Sequence, residues 1–418
     1  MKINRISDNT HFAGIFCFLI HVSINYLLTN NTSRLFIIPV HWLSIIGILV
    51  SVAILCFIKK INYTQLTATV LYVSFFLYGI LMSVFNGAFD VGQQGLLRNA
   101  IFTISGLPLI AQKTIYPLPD KLAKNYVWYV FIGLCATIAV GGIDLTFPPH
   151  FIFDYKLDSN VNILYSQGMS KFFGFGAVAA AYMISKSQTT IKNLLLLITV
   201  LVLLFLSLLG GARGDSVAAV LVVLGYLTFK FQFKFLFCLL ISVIALYSYV
   251  DDWLYIVEDF VIFQRLSDVV EGDYGLRDVL LGYVVDLLSD EPRCLLIGCG
   301  FGYFQSHYGF EYGMYPHNFI AESLIVFGLL LSVIFGILVA SGARAYYRQI
   351  GSVDLFMLFF ILSVLIDLKS GDLFGGWFTT ASSMYFSALH LTKLTRKQRY
   401  KMRALATNGE PGSSSTAS

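Results

Sequence analysis

Three short stretches of the chain carry residue types suited to chemistry on a phosphate-bearing substrate. The first is Gly210-Gly211-Ala212-Arg213-Gly214-Asp215, a turn between two apolar runs. Its glycines let a backbone approach a ligand closely. Arg213 offers a planar, permanently charged fork of donors that matches phosphate oxygens. The second is the polar connection 251–317, which holds Arg265 and Arg277. The third is Tyr315-Pro316-His317-Asn318, which closes that connection and enters the next apolar run. An imidazole titrates across neutral pH, so His317 could take a proton from a hydroxyl. Arg213, Arg277 and His317 are therefore the candidate catalytic residues, and Arg265, Tyr315, Asn318 and Asp215 are candidates for substrate binding.

Each of these has a plainer reading. An arginine between short apolar runs can simply reach for lipid headgroups. Arg34, Arg98 and Arg293 are read as such anchors. His21, His41 and His390 lie in or near apolar runs and read as packed or interfacial. Asp354 and Asp367 flank one run and mark its ends, and Asp372 reads as a solvated loop residue beside Lys369.

Several chemistries are excluded. No HExxH or CxxC pair occurs, and no His, Cys, Asp or Glu spacing fits a metal site. No P-loop is present, and no glycine fingerprint follows a strand. Gly298-Cys299-Gly300-Phe301-Gly302 is glycine-rich but lies between apolar runs and reads as a turn. Cys17, Cys56, Cys135 and Cys238 fall in apolar runs and act as small apolar residues. Cys294 and Cys299 share the long connection, where an oxidising compartment would permit a disulfide, although their spacing is tight.

The elements that must position these residues follow from composition. Of 418 residues, 57% are hydrophobic and only 12% charged, where a soluble domain carries roughly 25% charged. Mean hydropathy is +0.75. So few charges cannot clothe a soluble surface. A disordered chain, a basic nucleic-acid-binding domain and a secreted disulfide scaffold are excluded with it. The expected fold is all-α, a polytopic membrane protein, because a helix satisfies its own backbone in lipid and the alternating strands of a membrane barrel are absent.

Runs of membrane-crossing length predict about twelve spans: 12–28, 36–58, 63–85, 99–112, 125–143, 170–185, 194–210, 215–229, 235–250, 318–341, 353–367 and 377–392. Residues 1–250 thus hold nine helices, 251–317 form a large external loop, 318–392 hold three more helices, and 393–418 form a basic and disordered tail. Lys and Arg crowd alternate connections, among them Lys59-Lys60, Lys113 with Lys121 and Lys124, Arg344 with Arg348, and the tail. The positive-inside rule then puts both termini in the cytoplasm and the 251–317 loop outside. Within that loop Leu276, Leu280, Val284 and Leu287 recur at helical spacing with Asp278, Asp286 and Asp290 between them. This predicts a short amphipathic helix at the membrane interface, ended by Pro292 and the glycine run.

With these motifs in this order, the chain resembles the bacterial O-antigen polymerase and O-antigen ligase superfamily. Gly211-Ala212-Arg213-Gly214 looks like the family's small-residue/Arg/Gly element. Arg277 with Leu281 fits its Arg-x-x-x-Leu element, and His317-Asn318, then nine intervening residues, then Gly328 fits its His-Asn-x9-Gly element. Leu331 stands where the ligase pattern prefers Gly, Thr or Tyr, and the form of the turn and of Tyr-Pro-His-Asn is closer to the polymerase.

The resemblance implies a metal-independent, cofactor-free glycosyltransferase of the inner membrane, working at the periplasmic face. Its donor would be a glycan on undecaprenyl diphosphate. The acceptor would be another lipid-linked repeat for a polymerase, or lipid A-core for a ligase. Arg213 and Arg277, with Arg265, would hold the diphosphate. His317 would act as base, while Asn318 and Tyr315 would hold sugar hydroxyls. Membrane lipid and a polysaccharide chain-length regulator are the implied partners, and nucleic acid is not. A transporter of lipid-linked glycan is the competing reading from another class. It would call for repeats and mid-membrane broken helices, whereas here the charges collect at one face and no repeat is visible.

Overall fold

The computed structural model describes residues 9–10, 12–21, 34–58, 61–88, 100–101, 103–109, 118–139, 143–144, 150–151, 167–231, 276–310, 314–370, 373 and 376–408. These are helical apart from turns and one antiparallel pair of two-residue strands, β1 (Ile143–Asp144) and β2 (His150–Phe151). The helices are α1 (Phe12–His21), α2 (Arg34–Phe57), α3 (Tyr63–Phe85), α4 (Leu118–Ala139), α5 (Gln167–Ile184), α6 (Thr190–Leu209) and α7 (Arg213–Phe231). After the connection come α8 (Leu276–Asp290), α9 (Pro292–Ile297), α10 (Tyr303–Tyr308), α11 (Phe319–Ile350), α12 (Leu355–Ser370) and α13 (Trp377–Asn408). Residues 103–106 run into a 3₁₀ turn, Leu107–Leu109. The ninth expected span, 235–250, lies outside the described residues.

Four of the described helices are long and apolar enough to cross a membrane: Tyr63–Phe85, Thr190–Leu209, Gly214–Phe231 and Phe319–Ile350. Their outward faces are apolar as well. Leu66, Val70, Leu77 and Leu81 of α3, and Leu194, Ile198, Leu201 and Phe205 of α6, are all exposed. Apolar side chains around the rim of a well-packed bundle are what lipid, not water, would solvate.

The centre of the bundle is α5. From Phe172 to Tyr182 every residue is buried, and Ala177, Ala179, Ala180 and Ala181 keep its surface thin. Small side chains let helices approach without loss of packing. Helices α4, α6, α7 and α12 all pack directly on α5, and α12 packs on α7 and α4 as well. On the opposite flank α13 packs between α3 and α11.

The decisive irregularity is in α11. Gly328 has φ 75° and ψ 170°, so the helix breaks nine residues after Phe319. The break releases carbonyls, and three near it find donors outside the regular helix ladder. Ser332 Oγ donates to the Ser323 carbonyl at 2.9 Å. The Cys299 amide donates to the Ile325 carbonyl at 2.6 Å, and the Gly300 amide to that of Val326 at 3.3 Å. The stretch read as a simple turn, Gly298 to Gly302, is therefore an insert wedged between α11 and α3. On the α3 side, Ser83 Oγ donates to the Phe301 carbonyl at 2.9 Å and Asn86 Nδ2 to that of Cys299 at 3.2 Å. The Tyr78 hydroxyl donates to the Ile297 carbonyl.

Cys294 and Cys299 are joined in a disulfide, with Cα atoms 4.9 Å apart. This lies within the usual range for such bridges. The bridge ties the insert to α9. The amphipathic helix expected from the loop is α8, whose Leu280, Val284 and Leu287 are buried against Cys294, Cys299 and the first turns of α11 at Ala321 and Ile325. Tyr308 of α10 donates to the Tyr283 carbonyl at 2.8 Å. Burial, with Asp286 and Asp290 nearby, pushes its phenol above the ordinary value, so it remains a donor.

Replacing Gly328 tests the break. A Cβ there would lie 2.5 Å from the Leu296 carbonyl oxygen and 2.6 Å from the Gly298 nitrogen. Gly328→Ala is expected to destabilise the detergent-solubilised protein by roughly 2–4 kcal/mol, positive-φ strain plus overpacking, read as a lowered thermal midpoint. An unchanged midpoint would mean that the insert is not packed into the break.

Candidate functional site

The Arg213 turn is built on three buried serines. Gly210 ends α6, and the backbone reverses through Gly211 at φ 72°. Ser170 Oγ donates to the Ser207 carbonyl at 2.8 Å, and Ser207 Oγ returns a bond to the Ser170 carbonyl at 2.7 Å. Ser216 Oγ donates to the Ser207 carbonyl at 2.7 Å, and the Ala212 amide donates to Ser170 Oγ at 3.2 Å. In an apolar bundle such satisfied hydroxyls fix one geometry. Arg213 follows as the first residue of α7.

Asp215, in the first turn of α7, has no exposed surface. Its Oδ1 pairs with Lys369 Nζ at 3.2 Å. Its Oδ2 has no hydrogen-bond partner among the described residues. Asp372 lies outside the described residues; Lys369, expected in a connection, is instead the second-last residue of α12. It reaches from the last turn of α12 into the base of the Arg213 turn.

The Tyr315–Asn318 stretch is the N-terminal cap of α11. Asn318 Oδ1 accepts from the Ile320 and Ala321 amides, both at 3.0 Å, which satisfies two of the orphan donors of a helix start. Its Nδ2 donates to the Leu368 carbonyl at 2.9 Å. His317 adopts φ 51°, and among the described residues no other non-glycine has a positive φ. Left-handed backbone costs a non-glycine residue about 1–2 kcal/mol, and such strain concentrates at functional sites. Its ring lies against Tyr315, with centroids 4.0 Å apart. Glu322, one turn in, accepts from the Leu373 amide at 2.7 Å.

The structure therefore brings together two of the three motif stretches. Leu368 holds Asn318, and its neighbour Lys369 holds Asp215. Arg277 is the second residue of α8, whose apolar face packs on the first turns of α11. Arg265 lies outside the described residues. Asn318 and Asp215 are engaged with protein groups in this arrangement. Glu322 and the α12 terminus were not singled out by sequence reasoning. Asn318 before an apolar run is a helix-start signal that pointed to the cap, but nothing local pointed to Lys369.

Beside this cluster opens an apolar cavity of about 590 Å³ between α11, α12 and α13. It starts at Phe319 and Ile320, next to His317 and Asn318, and runs past the break to Ala343. Its few polar lining groups include Ser323, Ser332, and Asp367, whose carboxylate accepts from Thr379 Oγ1. Among the described residues no group of three or more His, Cys, Asp or Glu side chains is placed to hold a metal ion.

No protein-family model matches the chain, and no curated protein matches it.

The double engagement of Asn318 separates two variants. Asn318→Asp keeps both helix-capping bonds and loses the donation to Leu368, whereas Asn318→Ala loses all three. The cap is worth about 1 kcal/mol, so thermal midpoints are expected to fall in the order wild type, Asn318→Asp, Asn318→Ala. Equal midpoints for the two variants would assign the cap no role.

Proposed function

We propose that this chain is an O-antigen polymerase, a glycosyltransferase that joins oligosaccharide repeats carried on undecaprenyl diphosphate at the periplasmic face of the inner membrane. The observation that carries the reading is the meeting of the Arg213 turn and the His317–Asn318 cap at Leu368–Lys369, at the mouth of an apolar cavity. A polyprenyl-linked diphosphate needs this combination, with cations and a base at the interface and an apolar groove running into the bilayer. The bundle would comprise about twelve spans with both termini cytoplasmic. The Cys294–Cys299 disulfide supports that orientation, since such bonds persist in oxidising compartments.

In the proposed mechanism Arg213 and Arg277, with Arg265, bind the diphosphate and stabilise the charge that grows on it as the glycosidic bond to it breaks. His317 takes the proton from the attacking hydroxyl of the acceptor repeat. The diphosphate is a good leaving group, so no second acid is required. Tyr315 orients the His317 ring by direct ring contact.

Purified protein in liposomes, supplied with lipid-linked repeat units alone, is expected to give longer lipid-linked glycans, and to do so in excess chelator. A strict need for lipid A-core would make the protein a ligase. One observation favours a transporter as second reading: α11 is a broken helix. Movement of the lipid across the bilayer without a new glycosidic bond would establish that reading and sink the polymerase. Arg213→Ala, Arg277→Ala and His317→Ala are each expected to lower extension by about 10²–10⁴-fold with membrane insertion intact. Normal long-chain product from His317→Ala would remove His317 from the mechanism.

A further inference from the structure

We propose that Lys369 is a positioning residue: with the neighbouring Leu368 carbonyl it clamps the Arg213 turn to the His317–Asn318 cap, so the last turn of α12 sets the register of the site. The activity part of this inference rests on the transferase reading above, and the geometric part does not.

The argument starts with the end of α12. The last carbonyls of a helix have no partner within it, and a cation is favoured there by the helix dipole. α12 ends with both features in use. The Leu368 carbonyl accepts from Asn318 Nδ2 at 2.9 Å, and Lys369 Nζ donates to Asp215 Oδ1 at 3.2 Å. Two adjacent residues thus grip two stretches separated by about a hundred positions of chain. Beyond them, the Leu373 amide donates to Glu322 at 2.7 Å, a third tie from the same connection to the first turn of α11.

The chain also makes room for the clamp. A Cβ at Gly214 would collide with Lys369 Cδ and Cε. Glycine next to Arg213 therefore lets the lysine stem cross the turn. Asp215 is wholly buried while the Lys369 side chain is 23% exposed, so the carboxylate is the fixed member of the pair. A buried carboxylate and its cation gain little net stability over an apolar pair of the same size, because both must be desolvated. What the pair does supply is direction. It permits one placement of α12 against α7, and Asn318 passes that placement on to His317.

The test reads geometry and turnover separately. Cys17, Cys56, Cys135 and Cys238 are replaced by serine, and spin labels are attached at Val217→Cys and Ile320→Cys, two exposed positions just inside α7 and α11. One narrow distance distribution is expected for the parent, a broadened one for Lys369→Met and for Gly214→Ala, and a narrow one again for Lys369→Arg. In the extension assay Lys369→Met is expected to lower turnover about a hundredfold with KM changed less than about threefold, and Lys369→Arg to restore most of it. Should Lys369→Met fail to fold, Asp215→Asn/Lys369→Met, which buries no lone charge, takes its place with the same expectations. An unchanged distribution, or full turnover from a variant whose distribution is broad, overturns the proposal. A broadened distribution in a chain whose parent extends no glycan would sink the polymerase reading and leave the clamp standing.

Discussion

A helix that breaks inside an apolar bundle leaves carbonyls without donors, and no water is there to supply them. That constraint governs the second half of this fold. At Gly328 the α11 backbone turns to φ 75°, and the carbonyls of Ser323, Ile325 and Val326 receive the Ser332 hydroxyl and the Cys299 and Gly300 amides instead. The insert that provides those amides must be held in turn. Ser83 and Asn86 of α3 do this from one side, and the disulfide to Cys294 from the other. Helices α8, α9 and α10 are packed where they are because the insert they flank has a fixed address.

The first half solves a different problem with similar means. α5 runs through the middle of its neighbours with a thin, nearly all-buried surface. Where it meets the α6–α7 turn, Ser170, Ser207 and Ser216 satisfy one another and the turn backbone. The Arg213 turn is thus mounted on the nearly all-buried centre of the bundle, and the His317 cap on the half organised around the break. The Asp215–Lys369 and Asn318–Leu368 contacts link the two through the end of α12. A site assembled from both halves therefore depends on α12, which contributes no motif of its own.

What the sequence made legible follows this division. A run that buries or exposes only apolar groups can be read locally. Tyr63–Phe85 has the bounds of its hydrophobic run because Asn62 caps one end and Asn86 the other. The amphipathic helix in the long connection was legible from the spacing of Leu280, Val284 and Leu287. Hydropathy stops at the polar part of a helix, so α11 runs on to Ile350 and α13 on to Asn408 past the bounds expected for their spans. Contacts between distant residues left no local trace. Asp215 and Lys369 are 154 positions apart, and the glycine run resembled a turn because its true partners lie in α3 and α11.

The break in α11 also bears on the choice between chemistry and transport. In a transporter, discontinuous helices present their unwound backbone to the substrate and ions, and the groups freed by the break are the binding site. Here the Ser323, Ile325 and Val326 carbonyls at the break are bonded to the protein, and the insert fills the gap. An element so filled cannot offer its backbone to a passing ligand without losing the insert, the disulfide-linked α9 and the packing of α8 together. A second positive φ lies at His317, eleven residues before Gly328 and at the very start of the helix. The cap is where a residue with a side chain is held in a costly backbone conformation. On the transferase reading proposed above, His317 at a helix mouth beside an apolar groove would serve a reaction at the membrane surface. On that reading the filled break would hold that mouth in place.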